Sequence, residues 1–262
     1  MEGLVRLQLL GTVQVERDGA PLRGLRSRKA LAVLGYLAVQ GQPVPRERLA
    51  DLVWPDLPEA RGRANLSWVL HRISSLLPDC LQADRHSLRF QPQAPYWLAL
   101  DVFDELRAQG DPSSLAAAVE LARGEFLEGL YLEGCAEFEL WLVAERERWR
   151  QRVTSALETL VAYHSHPAGY DEALRFARHL LALEPWREGA HRQLMRLYAW
   201  SGERVAALRQ YAECERVLQE ELGVRPYVET TQLYQASHVG RELPPPVDRK
   251  APPARTTAGL LE

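Results

Sequence analysis

Residues 61–77, RGRANLSWVLHRISSLL, govern how the rest of the chain is read. Wound at 3.6 residues per turn, this stretch places Leu66, Val69, Leu70, Ile73, Leu76 and Leu77 on one stripe that has to be buried. The other side carries Arg61, Trp68, His71 and Ser75, flanked by Asn65, Ser67 and Arg72, and includes no carboxylate. Guanidinium, amide, hydroxyl, imidazole and a flat indole are the groups that meet base edges and phosphates. A solvated helix ordinarily mixes acids with bases, so an acid-free face suits a polyanion. The alternative is an ordinary amphipathic helix whose wet side happens to lack acids, and the flanking segments bear on that choice.

Upstream, residues 4–22 alternate apolar and polar side chains around turns at Gly11 and Asp18-Gly19, which predicts a small antiparallel sheet. Residues 27–40, SRKALAVLGYLAVQ, follow with Ala30, Leu31, Leu34, Leu37 and Ala38 at helical spacing, stopped by Gly41-Gln42-Pro43. The helix begins with Arg26, Arg28 and Lys29. Cations at a helix N-terminus oppose the macrodipole by roughly 0.3–1 kcal/mol each. A bound phosphate would offset that cost, and an exposed, solvated cluster is the other reading. A short helix over residues 46–53 starts after Pro45 and ends at Trp54-Pro55.

Downstream, CLQADRHSLRF (residues 80–90) predicts a hairpin whose tip carries Asp84, Arg85, His86 and Ser87. YWLAL (residues 96–100) reads as one more strand, which could pair with that hairpin. Sheet, three helices and a hairpin with Arg and His at its tip form the order of a winged helix-turn-helix. In that arrangement the third helix enters the major groove and the wing tip reaches phosphate or the adjoining minor groove.

From residue 101 the pattern turns helical, with a helix predicted over 115–122, a turn at 126–131 and a long helix over 136–163. Ala156, Leu160, Ala173 and Leu174 recur 34 positions later as Ala190, Leu194, Ala207 and Leu208. That is the tetratricopeptide period, in which helix pairs bury their apolar faces only against a neighbouring pair. Gly169 and Gly202 fall at the expected interhelix turns. The predicted architecture is mainly α with a small antiparallel β part. It comprises a winged helix over 1–107, a helical-repeat domain over 108–240 and a disordered Pro-rich tail or linker over 241–262, a linker being the reading that would imply something beyond it.

Composition narrows the chemistry. The 262 residues carry 32 Lys+Arg against 35 Asp+Glu, a net charge of −3. Residues 22–90 nevertheless hold 11 basic against 6 acidic side chains, and residues 107–262 hold 19 against 23. Cys80, Cys135 and Cys214 lack disulfide or zinc spacing, and no signal-peptide pattern or membrane-length apolar run occurs, so a cytoplasmic protein away from membranes is expected. There is no Gly-rich phosphate loop, no G-x-S-x-G and no H-E-x-x-H, and His164 and His166 have no third metal ligand near them. Neither an enzyme nor a cofactor is expected. His179 and His191 read as polar surface, and Trp141, Trp149, Trp186 and Trp200 as helix-packing residues.

The chain resembles the bacterial transcriptional activator domain proteins, the group that includes the Streptomyces antibiotic regulatory proteins. The matching segments are GLRSRKALAVLGYLA (24–38), PEARGRANLSWVLHRISSLL (58–77), ADRHSLRFQPQAPYWLALDVFDEL (83–106) and AEFELWLVAERERW (136–149). The run at 173–234 is the most specific, above all LEPWREGAHRQLMRLYAWSGERVAALRQY and EELGVRP. The resemblance implies an OmpR-type winged helix followed by a tetratricopeptide-like activation domain. It also implies binding to direct repeats in promoter DNA and recruitment of RNA polymerase; the weak binding expected of a single small winged helix points separately to self-association on DNA. Carried onto this sequence, Asn65, Ser67, Trp68 and His71 become the expected base-contacting residues. Lys29, Arg72 and Arg85 fall in the matching basic segments, and with Arg26, Arg28, Arg61 and His86, named for their own charge and position, they are the expected phosphate contacts. Ile73-Ser74-Ser75 departs from the pattern, where a more basic stretch is usual, and Trp68 stands where a smaller or polar residue is common. The alternative is a protein-interaction scaffold without DNA affinity, such as the amino-terminal part of a larger signalling ATPase.

Overall fold

The computed structural model describes residues 4–22, 25, 27–78, 80–91, 96–241 and 243–244. In chain order the elements are β1 (Val5–Gln8), β2 (Gln14–Arg17), β3 (Ala20–Pro21), α1 (Arg28–Gln40), β4 (Val44–Pro45), α2 (Arg46–Val53), α3 (Glu59–Leu76), β5 (Leu81–Ala83), β6 (Ser87–Phe90) and β7 (Tyr96–Leu98). They continue as α4 (Ala99–Gln109), α5 (Pro112–Leu121), α6 (Ala136–His164), a single 3-10 turn (Pro167–Gly169), α7 (Tyr170–Leu183), α8 (Glu188–Trp200), α9 (Arg204–Leu222) and α10 (Val228–His238). Among the described residues these form two compact units. One holds the chain up to Leu106 with Glu120–Gln151, and the other holds Arg107–Val119 with the chain from Arg152 onward.

In the first unit, α1 is capped by the Ser27 hydroxyl, which accepts from the Ala30 amide, and is closed by Gly41 in the left-handed region. It buries Ala30, Val33, Leu34 and Leu37; α2 buries Leu49, Leu52 and Val53; α3 buries Leu66, Val69, Leu70 and Ile73. Each of these Val, Leu and Ile side chains contributes roughly 1.5–3 kcal/mol by leaving water. Leu77, just past the end of α3, is also fully buried, and Pro78 stops the helix there. The hairpin forms as expected, β5 pairing with β6 and β6 with β4.

The strand at residue 96 takes a different partner from the one its sequence suggested. Tyr96–Leu98 lies parallel to Val5–Leu7, completing the sheet β3-β2-β1-β7, and Ala99 and Leu100 already belong to α4. Leu98 is set opposite Leu7, both buried, so the strand covers the open edge of the amino-terminal sheet instead of extending the hairpin.

Residues 120–151 pack onto this unit. The Leu127 amide donates to Leu9 O (2.9 Å) and the Gly11 amide to Glu125 O (2.8 Å). Gly11 has φ +109°, and a Cβ there would press on Arg123 and Gly124. Leu127, fully buried with φ +49°, comes so close to α1 that a Cβ on Gly35 would stand 2.6 Å from its Cδ1. Arg146 holds the segment from α6, its guanidinium donating to the carbonyls of Phe126 (3.0 Å), Leu127 (2.9 Å) and Leu130 (3.2 Å). Tyr36, Phe126 and Phe138 surround Trp141.

In the second unit α7, α8, α9 and α10 pack in succession. Of the eight positions related by the 34-residue displacement, seven are buried and Leu208 is half-buried. The LEPWREGAHRQL segment turns inward through its polar groups. Glu188 Oε1 accepts from the Tyr227 amide (2.7 Å), from Arg192 and from the Thr230 hydroxyl, while Arg187 pairs with Glu158 and Glu184, each at 2.5 Å. His191, read from sequence as surface, is 2% exposed. Its Nε2 lies 2.8 Å from Pro185 O and its Nδ1 2.7 Å from Gln210 Nε2, an arrangement that fits a neutral ring donating to the carbonyl and accepting from the amide. Trp186, read as packing, is 45% exposed. Of the tail expected beyond Gly240 only Arg241, Leu243 and Pro244 are among the described residues.

Replacing Arg146 by Met leaves the three carbonyls it serves without their donor. The expected loss of stability is about 2–4 kcal/mol, read from the urea midpoint of the full chain. Burial lowers the pKa of His191 despite the opposing charges of Glu213 and Glu188. A depressed histidine contributes stability that is full above its unfolded value near 6.5 and is lost as pH falls through its folded value. Thermal unfolding at pH 7 and pH 5 should therefore show a drop that His191→Gln reduces; an equal drop in both proteins would refute this.

Candidate nucleic-acid interface

The buried stripe of α3 fixes which way its other side faces. With Leu66, Val69, Leu70 and Ile73 inside, Arg61, Asn65, Ser67, Trp68, His71 and Arg72 are all exposed and share one helix face. The sequence-predicted residues of this helix are thus brought together. Ser67 and Ser75 turn their hydroxyls back to the helix, donating to Arg63 O and Arg72 O, both at 2.9 Å. α3 starts two residues before the acid-free stretch, at Glu59, and that carboxylate is paired with Arg63. Trp68 is 61% exposed.

The wing tip is built by Asp84. Its carboxylate accepts from the His86 amide (2.7 Å), the Ser87 amide (2.6 Å) and the Ser87 hydroxyl (2.7 Å), closing the turn that exposes Arg85 and His86. The Ser87 hydroxyl foremost, and then the two amides, hold the Asp84 carboxyl down at about 2. Arg46, the first residue of α2, donates from Nε to Asp84 O (3.0 Å) and from its amide to His86 O (2.9 Å). Its neighbour Glu47 pairs with Arg63 of α3 at 2.5 Å. A line of polar contacts therefore runs from wing tip to α2 to α3. Sequence reading passed over Arg46 and Arg63 and named Asp84 only as part of the tip; the Asp-x-x-Ser spacing at 84–87 was the available signal for its role.

The remaining predicted residues lie on another element. Arg28 is exposed at the start of α1. Lys29 is half-buried with its ammonium 5.1 Å from the centre of the Trp54 ring, a cation–π contact that competes with an outside anion. Arg26 lies outside the described residues. Among the described residues no group of three or more His, Cys, Asp or Glu side chains is placed to hold a metal ion, and no helix is long and apolar enough to cross a membrane.

A winged helix ahead of helical repeats, with an arginine, amide and indole face on its third helix, defines the architecture of a transcription regulator. Residues 100–236, more than half of the chain, match the family described as bacterial transcriptional activator domain, and the chain belongs to that family. It is a transcriptional regulator of the Streptomyces antibiotic regulatory protein type. Transcriptional regulatory protein MoaR1 of Mycobacterium tuberculosis is 26% identical over 92% of this chain and 81% of its own length. Regulatory protein AfsR of Streptomyces coelicolor is 27% identical over 89% of this chain, which spans only 24% of that longer protein. The solved structure of Mycobacterium tuberculosis EmbR, in complex with a low-affinity phosphopeptide, has the same fold. It superposes with a TM-score of 0.65 at 21% identity, covering 93% of this chain and 66% of that one.

Asp84→Asn removes the charge that organises the wing tip. Amide hydrogen exchange at His86 and Ser87 should quicken in the variant, and in the unaltered chain a carboxylate NMR titration should place Asp84 near 2. Because its pKa is depressed, the ionised carboxylate favours the folded turn above about pH 4, and that preference fades as pH falls toward 2. A midpoint close to 4 would contradict the geometry.

Proposed function

We propose that the chain binds promoter DNA sequence-specifically, with α3 in the major groove. Asn65, Ser67, Trp68 and His71 meet base edges, and Arg61 and Arg72 meet the flanking phosphates. Arg85 and His86 at the wing tip, Arg28 and Lys29 at the start of α1, and Arg26 just before it supply the outer phosphate contacts. The observation that carries this reading is the outer face of α3, where six predicted contact residues are exposed together while the opposite stripe is locked in the core. The excess of basic residues over 22–90 supports it, since phosphate neutralisation supplies much of the affinity.

One recognition helix with a modest charge excess binds weakly, so the functional unit is two copies on repeated half-sites about one helical turn apart. The helical unit carries the protein contacts, to RNA polymerase or to the neighbouring copy, and acts as an activator. Its exposed Trp186, Tyr227 and Val228 support that assignment, since aromatic side chains outside a core are enriched at interfaces.

Fluorescence titration of the chain with a duplex selected from a random pool tests the reading. Affinity should fall steeply with salt, and Arg61→Glu with Arg72→Glu should abolish specific binding, a loss of at least about tenfold. Absence of binding at low salt, or binding indifferent to salt, would overturn it. Unchanged activity of the charge-reversed chain in cells would point instead to a scaffold.

A further inference from the structure

Trp68 is the only large apolar side chain exposed on α3 among the described residues. It stands one turn before Arg72 and two turns after Arg61, about 6 Å and 10 Å along the axis, and so occupies the middle of the outer face. A helical side chain leans over the turn that precedes it. The residues there are Ala64 and Asn65, both exposed, so little of the indole is covered from its own helix. An exposed indole at the centre of a face offered to DNA gains free energy when an apolar group of the partner covers it.

A protein surface is a poor cover. A stable interface needs about 800 Å² from each partner, whereas a tryptophan side chain supplies at most about 250 Å². Every neighbour on this face is charged, polar or as small as alanine. In the major groove, by contrast, base pairs present donors and acceptors and a single apolar group, the 5-methyl of thymine. The indole has one polar atom, the Nε1 donor, and the rest of its surface neither donates nor accepts. Packed over the amino group of cytosine or adenine it would strip a donor of water without replacing the bond. Packed over a thymine methyl, two apolar surfaces leave water together.

We infer that Trp68 is a specificity residue that selects thymine, its indole covering the 5-methyl group of one thymine in each half-site. This rests on α3 lying in the major groove, as proposed above.

The test uses the full chain and a duplex selected by it from a random pool, with each thymine replaced in turn by deoxyuridine, which keeps the pairing and deletes only the methyl. One position per half-site should weaken binding about three- to fivefold, as loss of one buried methyl requires. In Trp68→Ala, overall affinity should fall and that position should become indifferent to the methyl, while Trp68→Phe should retain part of the sensitivity. If no thymine is sensitive, or if Trp68→Ala keeps the same sensitive position, the assignment of Trp68 is overturned while DNA reading by α3 stands. If no duplex can be selected, both fall.

Discussion

The structure depends on one packing constraint, the locking of α3 by its own apolar stripe. Leu66, Val69, Leu70 and Ile73 are clamped among the apolar residues of the small helical core. A helix turns by about 100° per residue, so moving the buried set by one position would rotate the whole outer face away. The direction in which Arg61, Asn65, Trp68 and Arg72 project is therefore set from the inside. Polar contacts then add precision that apolar burial lacks, because Glu47 holds Arg63 at the start of α3 while Arg46, its neighbour, holds the wing turn at Asp84. Two adjacent residues of α2 thus register the hairpin and the helix against the same short rod.

Much of this was legible in the sequence because it is periodic. The limits of α1 and α2, the two faces of α3, the hairpin and the 34-residue repeat all follow from spacing. Where the reading failed, the deciding information was not local. YWLAL announces a strand but not its partner, and an unfilled edge beside Leu7, some ninety residues away, decided the pairing. His191 was read as surface since nothing local to imidazole says whether a carbonyl and an amide await it; Pro185 and Gln210 provide both. That Arg61, Asn65, Ser67, Trp68, His71 and Arg72 share one exposed face of α3 was legible from spacing. Lys29 shows the limit, because its engagement by Trp54 depends on where α2 ends in space.

The family's span and the packing of the chain do not share a boundary. The family match begins at residue 100, yet Glu120–Gln151, well inside it, belongs to the compact unit that carries the winged helix. Composition suggested a division near residue 107, where strands and short helices give way to helices alone. The division by contacts is interleaved because Leu127, in a backbone conformation that leucine seldom adopts, is inserted against Gly35, and Arg146 ties down the loop that bears it.

That insertion has a practical meaning for dissecting the protein. A fragment cut after residue 107 would retain every side chain expected to touch nucleic acid and still be unsound. Leu9, Leu10 and Tyr36 would be stripped of their cover, and the bared surface would favour clumping over a well-behaved monomer. The compact unit that holds the winged helix keeps residues 120–151 with it, including Trp149, whose ring closes on Phe103.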